Sequence, residues 1–136
     1  MFCCWSLSCQ AIATSKVKAI EGSITLCFAL KQEVGSYALM AGTGFEQMDF
    51  LQCCKFAEGD SRILMQKLAR DRVIQFAKGS KVGSGAEVQL CSMLAGLLGK
   101  ASQWDENWQS VYQLSELVID RILNSDLDKG EVSSKL

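Results

Sequence analysis

From Ala13 onward, apolar residues return every three or four positions. Ala13, Val17, Ile20, Ile24, Cys27, Val34, Ala38 and Ala41 fall on one seam that only Lys31 interrupts, the spacing of an amphipathic helix. The pattern predicts one long helix ending near Gly42-Thr43-Gly44, where glycine permits positive φ. Leu26, Phe28, Leu30 and Tyr37 lie off the seam and predict burial on more than one side. A second helical stretch runs through Met65, Leu68, Ala69, Val73, Phe76 and Ala77, with Asp60 and Ser61 as caps and a stop at Lys78-Gly79. Ser84 and Glu87 have the spacing of a capping box. They open a third helix with Leu90, Met93, Leu94, Leu97 and Leu98 on its face and Gly99 at its close. Trp104, Trp108, Val111, Val118 and Ile122 predict a fourth, reaching about Leu123. No strand-like alternation competes with these periods, so the expected fold class is all-α, an up-and-down helical bundle.

The absence of proline from all 136 residues removes the strongest helix breaker and supports long helices. A chain of this length suits one domain, burying roughly 70% of the surface its unfolded form exposes. Hydrophobic residues make up 49% against 21% charged, which is too apolar for disorder. No apolar run approaches the ~18 residues that span a bilayer. A formal charge of −1 without a long basic stripe gives no grip on phosphate backbones, so nucleic acid is not an expected partner.

Seven cysteines form no C-x-x-C pair, and the chain has no histidine. That ligand set argues against structural zinc and removes every Ser-His or Cys-His nucleophile. The cysteines are expected to be small apolar core residues, kept reduced inside a cell. Met1 to Gln10 is apolar and precedes Ala11-Ile12-Ala13, which imitates a signal-peptidase site, but it lacks a basic n-region and is cut by Ser6 and Ser8. Cys3 and Cys4 near this start also fit the permissive pattern for S-palmitoylation.

One segment joins an ionisable group, a glycine and a helix start: Phe56-Ala57-Glu58-Gly59-Asp60-Ser61-Arg62. A glutamate beside Phe56 and Ala57 is expected against apolar surface, which raises its pKa toward that of a useful general base, while Gly59 admits a ligand close to the backbone. The plainer reading makes Asp60 a helix cap and Glu58 a favourable charge at the positive end of that helix.

Residues 10–78, with Lys16-Val17-Lys18-Ala19-Ile20-Glu21, Ala41-Gly42-Thr43-Gly44-Phe45, Glu58-Gly59-Asp60 and Leu68-Ala69-Arg70-Asp71 in that order, resemble the C-terminal helical domain of flavin-dependent acyl-CoA dehydrogenases and acyl-CoA oxidases. The resemblance implies a domain over 10–125, clearest over 10–78, with extra C-terminal helices. It implies that Glu58 is the catalytic base that removes the α-proton of an acyl-CoA while a hydride passes from the β-carbon to FAD. It further implies that Ala41, Gly42, Asp60, Ser61 and Arg62 contact FAD, that acyl-CoA is the substrate, and that the protein is a homo-oligomer. Ala38 stands where many relatives have glutamine, Ala41 replaces the first of two glycines, and Asp60 replaces a threonine common in dehydrogenases, which is closer to the oxidases. The family's helical N-terminal domain and flavin-holding β-domain have no counterpart here, so the chain is expected to be incomplete as a catalyst alone. The alternative is a non-catalytic helical module that acts by association.

After Asn124 the chain turns polar, and 126–136 is expected to be a flexible tail. It ends in Ser134-Lys135-Leu136, the tripeptide by which an import receptor directs proteins to the peroxisome.

Overall fold

The computed structural model describes residues 7–57 and 59–133, with side chains described for 9–57 and 59–125. Among the described residues every regular element is helical, so the all-α expectation holds. In chain order these are α1 (Leu7–Val34), α2 (Met48–Cys54), α3 (Ser61–Ala77), α4 (Gly85–Ala95), α5 (Ala101–Glu106) and α6 (Trp108–Ser133). Short 3-10 turns occupy Gly35–Leu39 and Phe45–Gln47. None of these helices is long and apolar enough to cross a membrane. The chain forms two compact units: residues up to Thr14 together with Met65 onward, and Ser15–Leu64.

In the first unit α4 and α5 both pack on α6. Their shared core holds Ala69 and Val73 of α3, Cys91 and Leu94 of α4, Trp104 of α5, and Val111, Leu114 and Val118 of α6. Fully burying a side chain such as Leu94 or Leu114 stabilises the fold by about 1.5–3 kcal/mol. The predicted fourth helix is two helices. Asn107 leaves the helical path (φ −94°, ψ 25°), and its Nδ2 donates to the Gln103 carbonyl at 2.8 Å, the local side-chain bond by which asparagine competes with a helix. The break puts Trp104 in the core and leaves Trp108 exposed. α6 then runs on to Ser133, so residues 126–133, expected as a tail, continue the helix. Polar composition alone does not end a helix that meets no proline.

The predicted stop of α3 is realised in full. Gly79 takes φ 96°; its N–H donates to Phe76 at 2.9 Å, and that of Ser80 reaches Gln75 at 3.0 Å, the paired bonds of a Schellman cap. The capping box at α4 is realised by half. The Glu87 N–H donates to Ser84 Oγ at 3.2 Å, but the Glu87 carboxylate turns inward. Only 1% exposed, it accepts from Arg72 Nε on α3 and, at 3.1 Å, from Arg121 Nε on α6. The remaining arms of Arg72, itself 2% exposed, donate to the carbonyls of Ser80 and Val82. Gly83, with φ 117°, passes so close that a Cβ there would fall on the Glu87 carboxylate. Beside this cluster, burial pushes the Cys91 thiol up, against the pull of Arg72, as befits an inert core cysteine. On α3, Asp71 Oδ2 is buried without a hydrogen-bond partner, and desolvation raises this carboxyl above its usual value against Lys67 and Arg70.

The second unit is built differently. Among its described residues only Val17, Ala38, Met48 and Ser61 are buried. α1 ends at Val34, short of the predicted Ala41, because Gly35 adopts φ 57° and the chain enters a 3-10 turn. The predicted seam holds in part: Val17 is buried and Ile20, Ile24, Cys27 and Lys31 are half-buried, but Val34 and Ala41 are exposed. Leu26, Phe28, Leu30 and Tyr37, expected to be buried, are exposed, since no element of this unit covers that side of α1. The cysteines also depart from expectation. Cys91 is buried, whereas Cys9, Cys53 and Cys54 are exposed and Cys27 is half-buried, all as free thiols; Cys3 and Cys4 lie outside the described residues.

Glu87→Ala leaves two desolvated guanidiniums facing each other, and breaking a buried pair in this way costs about 3–5 kcal/mol. Urea denaturation is expected to show that loss, with a smaller one for Arg121→Ala, whose partner is a third exposed.

Candidate functional site

Two stretches of the Ser15–Leu64 unit carry the residues singled out in the sequence. The first follows α2. The Lys55 carbonyl accepts from the Ser61 N–H at 3.1 Å and from Ser61 Oγ at 3.4 Å. Lys16 Nζ of α1 reaches the same carbonyl at 3.3 Å and also donates to the Gly59 carbonyl. One turn further along α1, Glu21 pairs with Lys55 Nζ at 3.0 Å, a partly exposed pair worth at most about 1 kcal/mol. Thus α1 holds the backbone at Lys55 and at Gly59, on either side of position 58. Glu58 itself lies outside the described residues. Gly59, at φ 105°, has the left-handed backbone that only glycine adopts without strain.

Asp60 caps α3 as expected. Its Oδ1 accepts from the Arg62 N–H at 2.7 Å, and its carbonyl accepts from the Leu64 N–H at 3.0 Å. Ser61 is buried, with its hydroxyl directed to Lys55, and Arg62 is exposed. Phe56 is 66% exposed, and Ala57 is exposed as well, so these two residues do not enclose their neighbour in apolar surface. The desolvation expected from them is not supplied by this unit.

The second stretch is the turn between Met40 and Gln47. Gly42 and Gly44 take φ 80° and 89°, which turns their N–H groups toward one point. That point is filled by the chain itself: Glu46 accepts from the Gly42 N–H at 2.9 Å and the Gly44 N–H at 3.0 Å, with Thr43 Oγ1 at 3.4 Å. Such a concavity of backbone donors favours an anion. The Glu46 backbone N–H first, and then that of Gly42, hold this carboxyl below its usual value. Ala41 and Gly42 are exposed. Each stretch hydrogen-bonds within itself or to α1, and no printed bond joins Gly42 to Asp60, Ser61 or Arg62 among the described residues.

Of the residues expected to meet FAD, Gly42 and Arg62 fit a phosphate-bearing group, being exposed and bearing a backbone donor or a guanidinium. Asp60 and Ser61 are committed to the start of α3 and do not. Lys16, Glu21 and Lys55 were not singled out as functional from sequence; their partners are 34 to 43 residues away, and no local spacing signals them. Among the described residues no group of His, Cys, Asp and Glu could hold a metal ion. Serine 134, lysine 135 and leucine 136 also lie outside the described residues.

A carboxyl depressed in the folded turn stabilises it fully above the ordinary glutamate value and loses that contribution as pH falls through the folded value. The Gly42 and Gly44 amide resonances are therefore expected to titrate together below pH 4.5, the reference for an unperturbed glutamate, and Glu46→Gln is expected to flatten both curves.

No protein-family model, no curated protein and no solved structure matches the chain.

Proposed function

We propose that this chain is the C-terminal helical part of an FAD-dependent acyl-CoA dehydrogenase or oxidase, serving α,β-dehydrogenation in fatty-acid β-oxidation and requiring further domains for turnover. The order of the four sequence motifs supports this reading, and one observation carries it: Lys16 of α1 holds the backbone at Lys55 and Gly59, on both sides of position 58. A base that takes a weakly acidic α-proton needs a fixed approach, because small misplacements of a reacting group lower the rate steeply. In this reading Glu58 takes the α-proton of the acyl thioester. Backbone N–H groups of the same loop stabilise the negative charge that develops on the thioester oxygen. When bound, FAD supplies the acceptor for the hydride that leaves the β-carbon. Gly42 and Arg62 would hold its phosphates, and an anion reaching the Gly42 N–H displaces the Glu46 carboxylate. Phe56 is exposed, so the acyl chain or another domain must exclude water from Glu58.

A second reading, a non-catalytic helical module that acts by association, is favoured by a different observation. In the Ser15–Leu64 unit, Leu26, Phe28, Leu30, Leu39, Met40 and Phe50 are all exposed, more apolar surface than a unit of this size ordinarily leaves to water. Both readings place the protein in the peroxisome, with Ser134-Lys135-Leu136, as the carboxyl terminus, bound by the import receptor.

Joined to flavin-holding domains of the resembled family, the chain is expected to support acyl-CoA oxidation that Glu58→Gln lowers by about 100-fold or more, the usual contribution of a general base. Equal turnover by both proteins would remove Glu58 from the mechanism. A fluorescently tagged chain is expected in peroxisomes, and the same chain without Leu136 in the cytosol; unchanged import would refute the address.

A further inference from the structure

We infer that the outward face of α1 is the seat of a second copy of this chain, packed antiparallel. This rests on the proposed self-association and not on acyl-CoA chemistry. α1 has two faces within the Ser15–Leu64 unit. Val17, Ile20, Ile24 and Cys27 are turned inward, buried or half-buried. Ser15, Ala19, Gly22, Leu26, Ala29 and Glu33 recur at alternating intervals of four and three, and all are exposed. That is the spacing of a seam between two packed helices. Leu26 at its centre is 60% exposed, and Leu30 beside it is exposed too.

Gly22 is the observation that this chain alone leaves unexplained. Glycine in a helix interior weakens the helix relative to alanine, and here a Cβ would meet nothing within 4 Å. Neither a tight contact nor a positive φ requires a glycine at this position. A second helix lying close against α1 does, because a missing side chain lets two backbones approach.

The charges on this face identify the occupant and its direction. Lys18 flanks the seam near one end and Glu33 closes it at the other, about 22 Å apart at 1.5 Å per residue. An antiparallel copy crossing between Thr25 and Leu26 sets Lys18 of each chain opposite Glu33 of the other, and Gly22 opposite Ala29. A parallel copy would set like charges side by side. The face is thus complementary to itself under a two-fold axis, the symmetry by which most homodimers form.

Sedimentation of the full chain, without flavin or acyl-CoA, tests this directly. A dimer is expected, and a monomer at tens of micromolar would overturn the proposal while leaving the role of Glu58 untouched. Lys18→Glu and Glu33→Lys are each expected to weaken the dimer by about 3-fold or more, since each creates two like-charge contacts at an exposed rim. An equimolar mixture of the two variants is expected to recover wild-type association, because both contacts are then attractive; failure to recover would rule out the antiparallel arrangement. Gly22→Leu is expected to abolish the dimer with helicity retained by circular dichroism. A dimer unchanged by Gly22→Leu would place the contact elsewhere.

Discussion

Burying one carboxylate between two guanidiniums is tolerable only when every polar arm has a partner. Glu87 meets that condition, with one oxygen on Arg72 and the other on Arg121, and Arg72 spends its remaining donors on the Ser80 and Val82 carbonyls. Desolvating these groups is expensive, and apolar residues in their place would often stabilise a fold as well or better. What the ionic version adds is direction. A carboxylate accepts from a guanidinium only along certain lines, so α3, α4, α6 and the connection at 78–84 are set against one another by bonds as well as by packing. The apolar core of Cys91, Leu94, Leu114 and Val118 lies among the same helices.

The two units satisfy their apolar surface in different ways. The unit containing α4–α6 closes a core of its own, in which Trp104, Leu94 and Leu114 are lost to solvent. The Ser15–Leu64 unit instead fastens its loops by polar bonds: Lys16 on two carbonyls, Glu21 on Lys55, Glu46 on the Gly42 and Gly44 amides. Such bonds position a loop but contribute modestly to net stability. A segment that is well positioned and poorly buried is suited to meeting another molecule.

Features whose partners are close in sequence were legible before the fold was known. The Gly79 stop, the Ser84 N-cap and the Asp60 cap each involve residues within five positions of one another, and each forms as its spacing predicts. Glu87 was legible only in part, because the arginines that claim its carboxylate lie 15 residues before it and 34 after it. The clamp at Lys55 and Gly59 was hidden for the same reason. Periodicity identified α1 but could not say which apolar residues would be covered: Leu26 and Leu30 have the hydrophobicity of core residues and remain outside for want of a neighbouring element. The break at Asn107 depends on one side-chain amide turning back to Gln103, a choice that the surrounding helical periodicity outvotes on paper.

Gly83 bears on how this protein can change over time. Any side chain there would collide with Glu87, and its φ of 117° is closed to L-residues in any case. Glu87 in turn has value only while Arg72 and Arg121 are present, and lysine at position 72 could not reach a carboxylate and two carbonyls at once. Single substitutions at these four positions therefore pass through damaged intermediates. Among descendants of this sequence, Arg72, Gly83, Glu87 and Arg121 should persist as a set or be replaced as a set, while the exposed residues between them drift freely.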